Sequence, residues 1–84
     1  MAQKKNIPVN EQTFDDFLIE LGERLKKHRQ KNGFTSYEQF AYENNIGRAQ
    51  YGKYEKGTED LRISSLHKVL KALNISWEDF FREM

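Results

Sequence analysis

The sequence contains no cysteine and only one proline, and these scarcities exclude several kinds of protein. A chain without cysteine forms neither disulfide bonds nor thiolate metal sites. The single proline, Pro8, lies near the N-terminus, so the residues after it are free to form uninterrupted helices. No apolar run is long enough for a signal peptide or a membrane span, and we therefore expect a cytoplasmic protein.

Runs of strand-forming residues are missing as well, while charged residues make up 32% of the 84 residues. This composition favours an all-helical fold, and the length allows one domain with one modest core. Residues 1–12 are polar and lack periodicity, which predicts a flexible N-terminal arm. Residues 13–84 are then the folded domain.

Two segments carry apolar residues at the spacing of three and four that is typical of a helix with one buried face. The first begins at Thr13 or Phe14 and ends near Asn32, and the second spans residues 63–74. Gly22 lies inside the first segment and predicts that another element packs closely against it. The apolar positions are Phe14, Phe17, Leu18, Leu21, Leu25 and His28 in the first segment, and Ile63, Leu66, Val69, Leu70 and Leu73 in the second.

Residues 36–57, SYEQFAYENNIGRAQYGKYEKG, have the pattern of two short helices joined by a tight turn. Ser36 and Gln39 match a capping box, in which the hydroxyl accepts a hydrogen bond from a first-turn amide and the glutamine side chain reaches back. The first of the two helices therefore begins at Ser36, or at Thr35 with Glu38 as its capping partner.

The same helix should end at residues 44–45, because both are asparagine, which tolerates the left-handed conformation that closes a helix. Ile46 then places an apolar side chain in the corner. The next helix opens at residues 47–48, runs to about Glu55 and is terminated by Gly57. This arrangement is a helix-turn-helix, and we expect its second helix to enter the major groove of DNA.

The two faces of that second helix differ in character. Tyr51, Tyr54 and Glu55 share one face, which we expect to point inward, so that both tyrosines belong to the core. The opposite face is thin enough to approach DNA and carries basic side chains that reach phosphates or base edges. Its members are Ala49, Gly52, Lys53 and Lys56, with Arg48 and Gln50 on the flanks.

Positive charge is concentrated on and just before this motif. The formal net charge of the chain is only +1, yet residues 24–56 carry +5, whereas residues 1–23 carry −3 and residues 57–84 carry −1. A local excess of lysine and arginine is what binding to a phosphate backbone requires, although it is also compatible with an ordinary solvated surface.

These features resemble the XRE, or phage-repressor-like, helix-turn-helix family over about residues 21–81. The resemblance implies a five-helix bundle of the lambda-repressor-like type, in which the second helix crosses the DNA backbone and the third enters the major groove. It also implies a transcriptional regulator that dimerises to match a two-fold operator. Members of the family are usually repressors, but activation is equally compatible with this sequence. The matching text is LGERLKKHR, the Phe40-Ala41 pair, Ile46, YGKYEKG and LHKVLKALNISWEDFF.

The resemblance assigns DNA contacts to eight residues and a salt bridge to two more. The salt bridge joins Arg29 to Glu55 and would fix the pose of the third helix. The DNA contacts are Arg48, Ala49, Gln50 and Lys53 at base- and backbone-facing positions, Ser36 and Tyr37 at phosphate positions, and Lys56 and Thr58 in the following loop.

The chemistry of several of these residues leaves two interpretations open. Arg48 suits a guanine edge and Gln50 an adenine edge, but either side chain equally suits phosphate or solvent. Ala49 meets a thymine methyl group or is passive. Tyr37 reaches a phosphate or packs beside Phe40.

Three departures from the family pattern bear on the site. The connection at residues 33–35 is one residue longer than usual, which predicts a displaced Tyr37. Asn45 replaces the usual turn glycine, a substitution that the left-handed conformation tolerates. Gly47 replaces a capping hydroxyl residue and Gly52 adds a second glycine, which predicts a loosely held third helix.

Other residues give no sign of catalysis or of a cofactor. His28 and His67 are isolated from any second ligand at metal-binding spacing, so we expect no metal site and no cofactor. No nucleophile has a base placed to activate it, so we do not expect an enzyme. Tyr42 has no assigned role.

A last short helix is predicted after Ser76, which is followed at the third position by Asp79. Its aromatic residues Trp77, Phe80 and Phe81 offer enough apolar area for docking or for a homodimer contact. The leading hypothesis is a sequence-specific regulator that binds double-stranded DNA. The alternative is a protein-interaction module, such as an antitoxin-like or adaptor protein, that binds a partner protein and has weak or no affinity for DNA.

Overall fold

The computed structural model describes residues 12–82. All regular secondary structure in this range is helical, which confirms the all-α prediction. No helix in this range is long and apolar enough to cross a membrane. The predicted N-terminal arm lies outside the described residues except for Gln12, whose side-chain amide donates to Glu20 Oε1 at 2.9 Å. The five helices are α1 (Phe14–Lys31), α2 (Tyr37–Glu43), α3 (Arg48–Lys56), α4 (Ile63–Leu73) and α5 (Trp77–Phe81).

Side-chain hydroxyls cap three of the helices at their N-termini. The Oγ1 of Thr13 and the Oγ of Ser76 each accept an amide hydrogen bond of 3.0 Å, and the Oγ of Ser36 accepts one of 3.2 Å from the Gln39 amide. The other half of the predicted capping box at Ser36 was wrong. The Gln39 side chain instead donates to Glu43 Oε2 at 2.8 Å, because the carboxylate one turn later is a charged acceptor on the same face.

The core takes side chains from all five helices. Tyr51 and Tyr54 are both buried, which confirms that they are packing residues. Phe40 lies between the ring of Phe34, at 5.2 Å, and the ring of Tyr51, at 5.2 Å. The buried apolar residues are Leu18, Leu21, Leu25, Phe40, Ala41, Tyr51, Tyr54, Leu66, Val69, Leu70, Leu73 and Phe80.

The apolar faces differ from the prediction at their ends. Phe14 and Ile63, each the first residue of its helix, are 56% and 71% exposed. Phe80, predicted as part of a contact surface, is fully buried in the chain's own core. Phe14 and Ile63 instead border an apolar groove of about 290 Å³ that Phe81 also lines.

The contact between α1 and α3 brings backbone against backbone, as Gly22 predicted. A Cβ atom added at Gly22 would lie 2.6 Å from the carbonyl oxygen of Tyr54 and still closer to that of Glu55. At the end of α3, a Cβ atom added at Gly57 would lie 2.6 Å from the Cα of Ile19. Both positions therefore lack room for a side chain, because α3 and its C-cap lie directly against the backbone of α1.

Candidate nucleic-acid interface

The turn between α2 and α3 has the predicted form. Asn45 adopts the left-handed conformation with φ of 59°, and the Ile46 amide donates to the carbonyl of Ala41 at 2.8 Å. The side chain of Ile46 packs against the core. From α4, the ammonium group of Lys68 donates to the carbonyl of Asn45 at 2.6 Å. Ile46 thus holds the turn on the side of the core, and Lys68 holds it on the side of the solvent. The contact of Lys68 was not predicted from the sequence.

The relative position of α2 and α3 depends on Tyr37 and Gly52. We predicted Gly52 on the outward face, but it is buried, and a Cβ atom added there would lie 2.7 Å from Cε1 of Tyr37. Gly52 lies on the side of α3 that meets α2, so the ring of the half-buried Tyr37 covers it. The outward face of α3 therefore does not include Gly52. The glycine instead allows α2 and α3 to pack closely together.

A buried ion pair links α1 to α3. The guanidinium of Arg29 donates to both carboxylate oxygens of Glu55, at 2.8 and 2.9 Å, and both side chains are almost completely buried. A third donor of Arg29 reaches the carbonyl of Phe34 at 2.7 Å, in the connection between α1 and α2. The hydrogen bond to Glu55 raises the pKa of Arg29, so the group stays charged. One side chain thereby fixes both the entry to α2 and the last turns of α3.

The hydroxyl of Tyr51 lies beside this pair and interacts with it electrostatically, but without a hydrogen bond of good geometry. It is buried, and within residues 12–82 it has no hydrogen-bond partner. Burial, followed by the neighbouring carboxylate of Glu55, raises the pKa of Tyr51 well above its usual value. The phenol therefore remains neutral beside the ion pair.

The first turns of α3 form the exposed surface of the motif. Arg48, Ala49, Gln50 and Lys53 all lie open to solvent, as do Lys56 at the end of α3 and Thr58 beyond it. The N-cap residue, Gly47, supplies no side-chain hydrogen bond, as its identity predicted. We call the residues Arg48, Ala49, Gln50 and Lys53 the α3 outer face.

Two of the residues predicted to contact phosphate, Ser36 and Thr58, already form hydrogen bonds within the chain. The Oγ of Ser36 accepts the Gln39 amide, which leaves its own hydrogen free to donate. The hydroxyl of Thr58 donates to the carbonyl of Lys53 at 3.4 Å and closes the end of α3. Ser36 and Thr58 thus cap helices in addition to any contact with a ligand.

Sequence reasoning assigned nothing to Tyr42, which is 73% exposed. Its ring lies 5.9 Å from the guanidinium carbon of Arg48, across the turn. The sequence contained one signal for this contact, an aromatic residue on the polar side of a short helix.

The helix-turn-helix family model matches residues 25–80 of the chain, which confirms the resemblance drawn from the sequence. The control protein C.MunI from a Mycoplasma species is 29% identical over 70 residues, covering 83% of this chain and 95% of that protein.

Solved structures of two controller proteins are similar to this fold. The restriction-modification controller C.AhdI from Aeromonas hydrophila has a TM-score of 0.72 at 27% identity, covering 80% of this chain and 96% of that one. C.Esp1396I, solved as a tetramer in complex with its natural 35 base-pair operator, has a TM-score of 0.70 at 30% identity, covering 79% of this chain and 86% of that one. The chain belongs to the helix-turn-helix family, and its relatives include controller proteins of restriction-modification systems.

Proposed function

We propose that this protein is a sequence-specific transcriptional regulator that binds double-stranded DNA by inserting the N-terminal half of α3 into the major groove. The observation that carries the proposal is the α3 outer face. It combines the small Ala49 with three exposed side chains that can form hydrogen bonds, on a helix whose inner side is fixed by Tyr51, Tyr54 and the Arg29–Glu55 pair. Side chains on a rigidly held helix read base edges more selectively than side chains on a mobile loop.

Within this proposal, Arg48 and Gln50 read base edges and Ala49 lies close to the groove floor. Arg48 pairs with the two acceptors of guanine, and Gln50 with adenine. Lys53 faces the phosphates, because it lies further along α3 and its ammonium group acts as a point charge.

Phosphate contacts on both sides of α3 set the register of the protein on DNA. Ser36 and Tyr37 lie at the start of α2, and Lys56 and Thr58 lie at the other end of α3. Together they place hydroxyl and ammonium donors along the backbone that flanks the groove.

The relatives extend the proposal to a biological role. C.MunI is named a control protein, and C.AhdI and C.Esp1396I are restriction-modification controllers, the latter solved as a tetramer on its operator. We propose that this chain likewise controls restriction-modification genes, as a non-enzymatic cytoplasmic regulator that dimerises to match a two-fold operator. Trp77 and Phe81 remain candidates for the contact between copies, whereas Phe80 is buried.

Selection of duplexes from a random pool tests the proposal, with Arg48→Ala and Lys53→Ala as the informative variants. Arg48→Ala should relax the selected sequence at one or two base pairs and cost about 1–3 kcal/mol of binding free energy. Lys53→Ala should weaken all sequences alike and lower the salt slope by about one. Lys71→Ala in α4 is the matched control, an exposed lysine remote from α3 in the chain, and should leave the selected sequence unchanged.

The dependence of binding on salt separates this role from that of a protein-interaction module. A DNA-binding protein loses duplex affinity steeply between low and moderate salt, because binding releases counterions. A protein that shows little duplex affinity at any salt concentration would contradict the proposal. Enrichment unaffected by both α3 substitutions would show that another surface contacts DNA.

A further inference from the structure

Tyr42 is an exposed aromatic residue that the core does not explain. It lies in the last turn of α2 with 73% of its surface open to solvent. The guanidinium carbon of Arg48 lies 5.9 Å from the centroid of its ring, within the distance of about 6 Å at which a cation is attracted to an aromatic face. The two residues belong to different helices, so the contact spans the turn.

Little else restrains the side chain of Arg48. It is the first residue of α3, and its N-cap residue Gly47 offers no side chain for contact. Among the described residues, Arg48 takes part in no hydrogen bond and no ion pair. The acidic residue next to Tyr42, Glu43, is engaged by the side chain of Gln39 at 2.8 Å. The ring of Tyr42 is therefore the one polar or aromatic partner of the guanidinium group within residues 12–82.

A contact through the ring leaves the hydrogen-bonding capacity of Arg48 unused. All five donors of a guanidinium group lie at the edge of its plane, and attraction to an aromatic ring engages none of them. Guanine presents two acceptors side by side in the major groove, which match two of those donors. Attraction to the ring of Tyr42 thus leaves the hydrogen-bond donors of Arg48 available to bind a base.

We propose that Tyr42 is a positioning residue for Arg48 and, through it, a determinant of the DNA sequence that the protein selects. The ring restricts the conformations of Arg48 before DNA is bound, so that less conformational freedom is lost when the guanidinium group meets a guanine edge. This inference rests on the proposed function, since it requires α3 to read base edges, and it assigns a role to a residue on α2 outside the α3 outer face.

The test compares binding to duplexes that differ only at the guanine that Arg48 selects. Tyr42→Leu should lower the preference for that guanine about twofold to fivefold, the range that an exposed cation–aromatic contact supports. Tyr42→Phe keeps the ring and should retain the preference. In an Arg48→Ala background, Tyr42→Leu should cause no further change, because the residue acts through Arg48. Phe14→Leu, at another exposed aromatic residue, is the control and should have no effect.

Two results would overturn the inference. An equal loss in Tyr42→Phe and Tyr42→Leu would mean that the hydroxyl contacts DNA directly. A loss that persists in the Arg48→Ala background would mean that Tyr42 acts independently of Arg48.

Measurement of the free protein makes the contact testable without DNA. The side-chain protons of Arg48 should show an upfield ring-current shift in nuclear magnetic resonance spectra of the wild type and Tyr42→Phe, and lose it in Tyr42→Leu. Absence of the shift in the wild type overturns the positioning role even when duplex binding is intact. Absence of duplex binding by the wild type instead overturns the proposed function, and the specificity role falls with it.

Discussion

The contact of α3 with α1 differs in chemistry from the contact of α4 with the core. Besides the buried rings of Tyr51 and Tyr54, the contact of α3 with α1 uses backbone, at Gly22 and Gly57, and a buried ion pair. The helix α4 contributes only aliphatic side chains, from Leu66, Val69, Leu70 and Leu73.

The contact of α4 therefore contributes mainly stability, whereas the contact of α3 with α1 contributes positional accuracy. Aliphatic side chains repack when a neighbour changes, so α4 supplies buried apolar area that tolerates adjustment. Backbone in contact with backbone cannot adjust, and the bidentate hydrogen bonds of an arginine fix an angle as well as a distance. The helix that we propose reads DNA is therefore the one held by the less adjustable contacts.

The largest expected effect comes from breaking the ion pair. Arg29→Met should lower the free energy of unfolding by about 3–5 kcal/mol, because the carboxylate of Glu55 is left buried without its partner. Arg82→Met is the control: its pair with Asp79 is exposed, and the change should stay below about 1 kcal/mol. Urea unfolding followed by circular dichroism measures both. The double variant Arg29→Met with Glu55→Met should recover much of the loss, and a double variant no more stable than the single one would contradict this account.

Gly22→Ala tests the backbone contact directly. Alanine in a helix interior is normally more stable than glycine by about 1 kcal/mol, yet here the added methyl group meets the end of α3 and should destabilise the protein by about 1–3 kcal/mol. Leu70→Met, a volume-conserving change in α4, should cost less than about 1.5 kcal/mol. If thermal unfolding shows Gly22→Ala to be stabilising, the two contacts do not differ as described.

A smaller effect is expected at Tyr51, where the buried hydroxyl has no partner within the described residues. Tyr51→Phe removes this desolvated group and should raise the free energy of unfolding by about 1 kcal/mol. Because the pKa of Tyr51 is raised in the folded protein, the unfolded chain ionises first, and the stability of the wild type falls as the pH rises above about 10. Tyr51→Phe should therefore lose less stability above about pH 10 than the wild type, and an equal loss in the two proteins would contradict this account.

The smallest effect concerns the uncapped start of α3. Gly47→Ser supplies a hydroxyl that accepts an amide hydrogen bond, and a Cβ atom at this position has room, with its nearest neighbour 3.7 Å away. We expect a gain of a few tenths of a kcal/mol, roughly the difference between glycine and serine at an N-cap. Amide hydrogen exchange at residues 48–50 should slow accordingly, and unchanged exchange would contradict the expected cap.

Features that depend on neighbours in the sequence were predictable, and features that depend on the packing of remote elements were less so. The caps at Ser36 and Ser76 follow from local chemistry and appear where they were predicted, and α1 begins at Phe14 as expected. Gly52 and Phe80 were misplaced, because their surroundings are set by α2 and by the core.

The same limit applies to the candidate site. The exposure of the α3 outer face followed from helical periodicity, since its opposite face carries two large aromatic residues. The contact between Tyr42 and Arg48 joins side chains of two different helices, and the periodicity of either helix alone shows only that Tyr42 is an aromatic residue on a polar side.

The close approach of Gly57 to Ile19 has a consequence for how such a regulator diversifies. Because the C-cap residue Gly57 packs against α1, an additional residue at the end of α3 would drive the chain into its neighbour. Under the proposed function, the target sequence then changes through exchange of outward side chains on an unchanged backbone. The positions to compare between related regulators are Arg48, Ala49, Gln50 and Lys53.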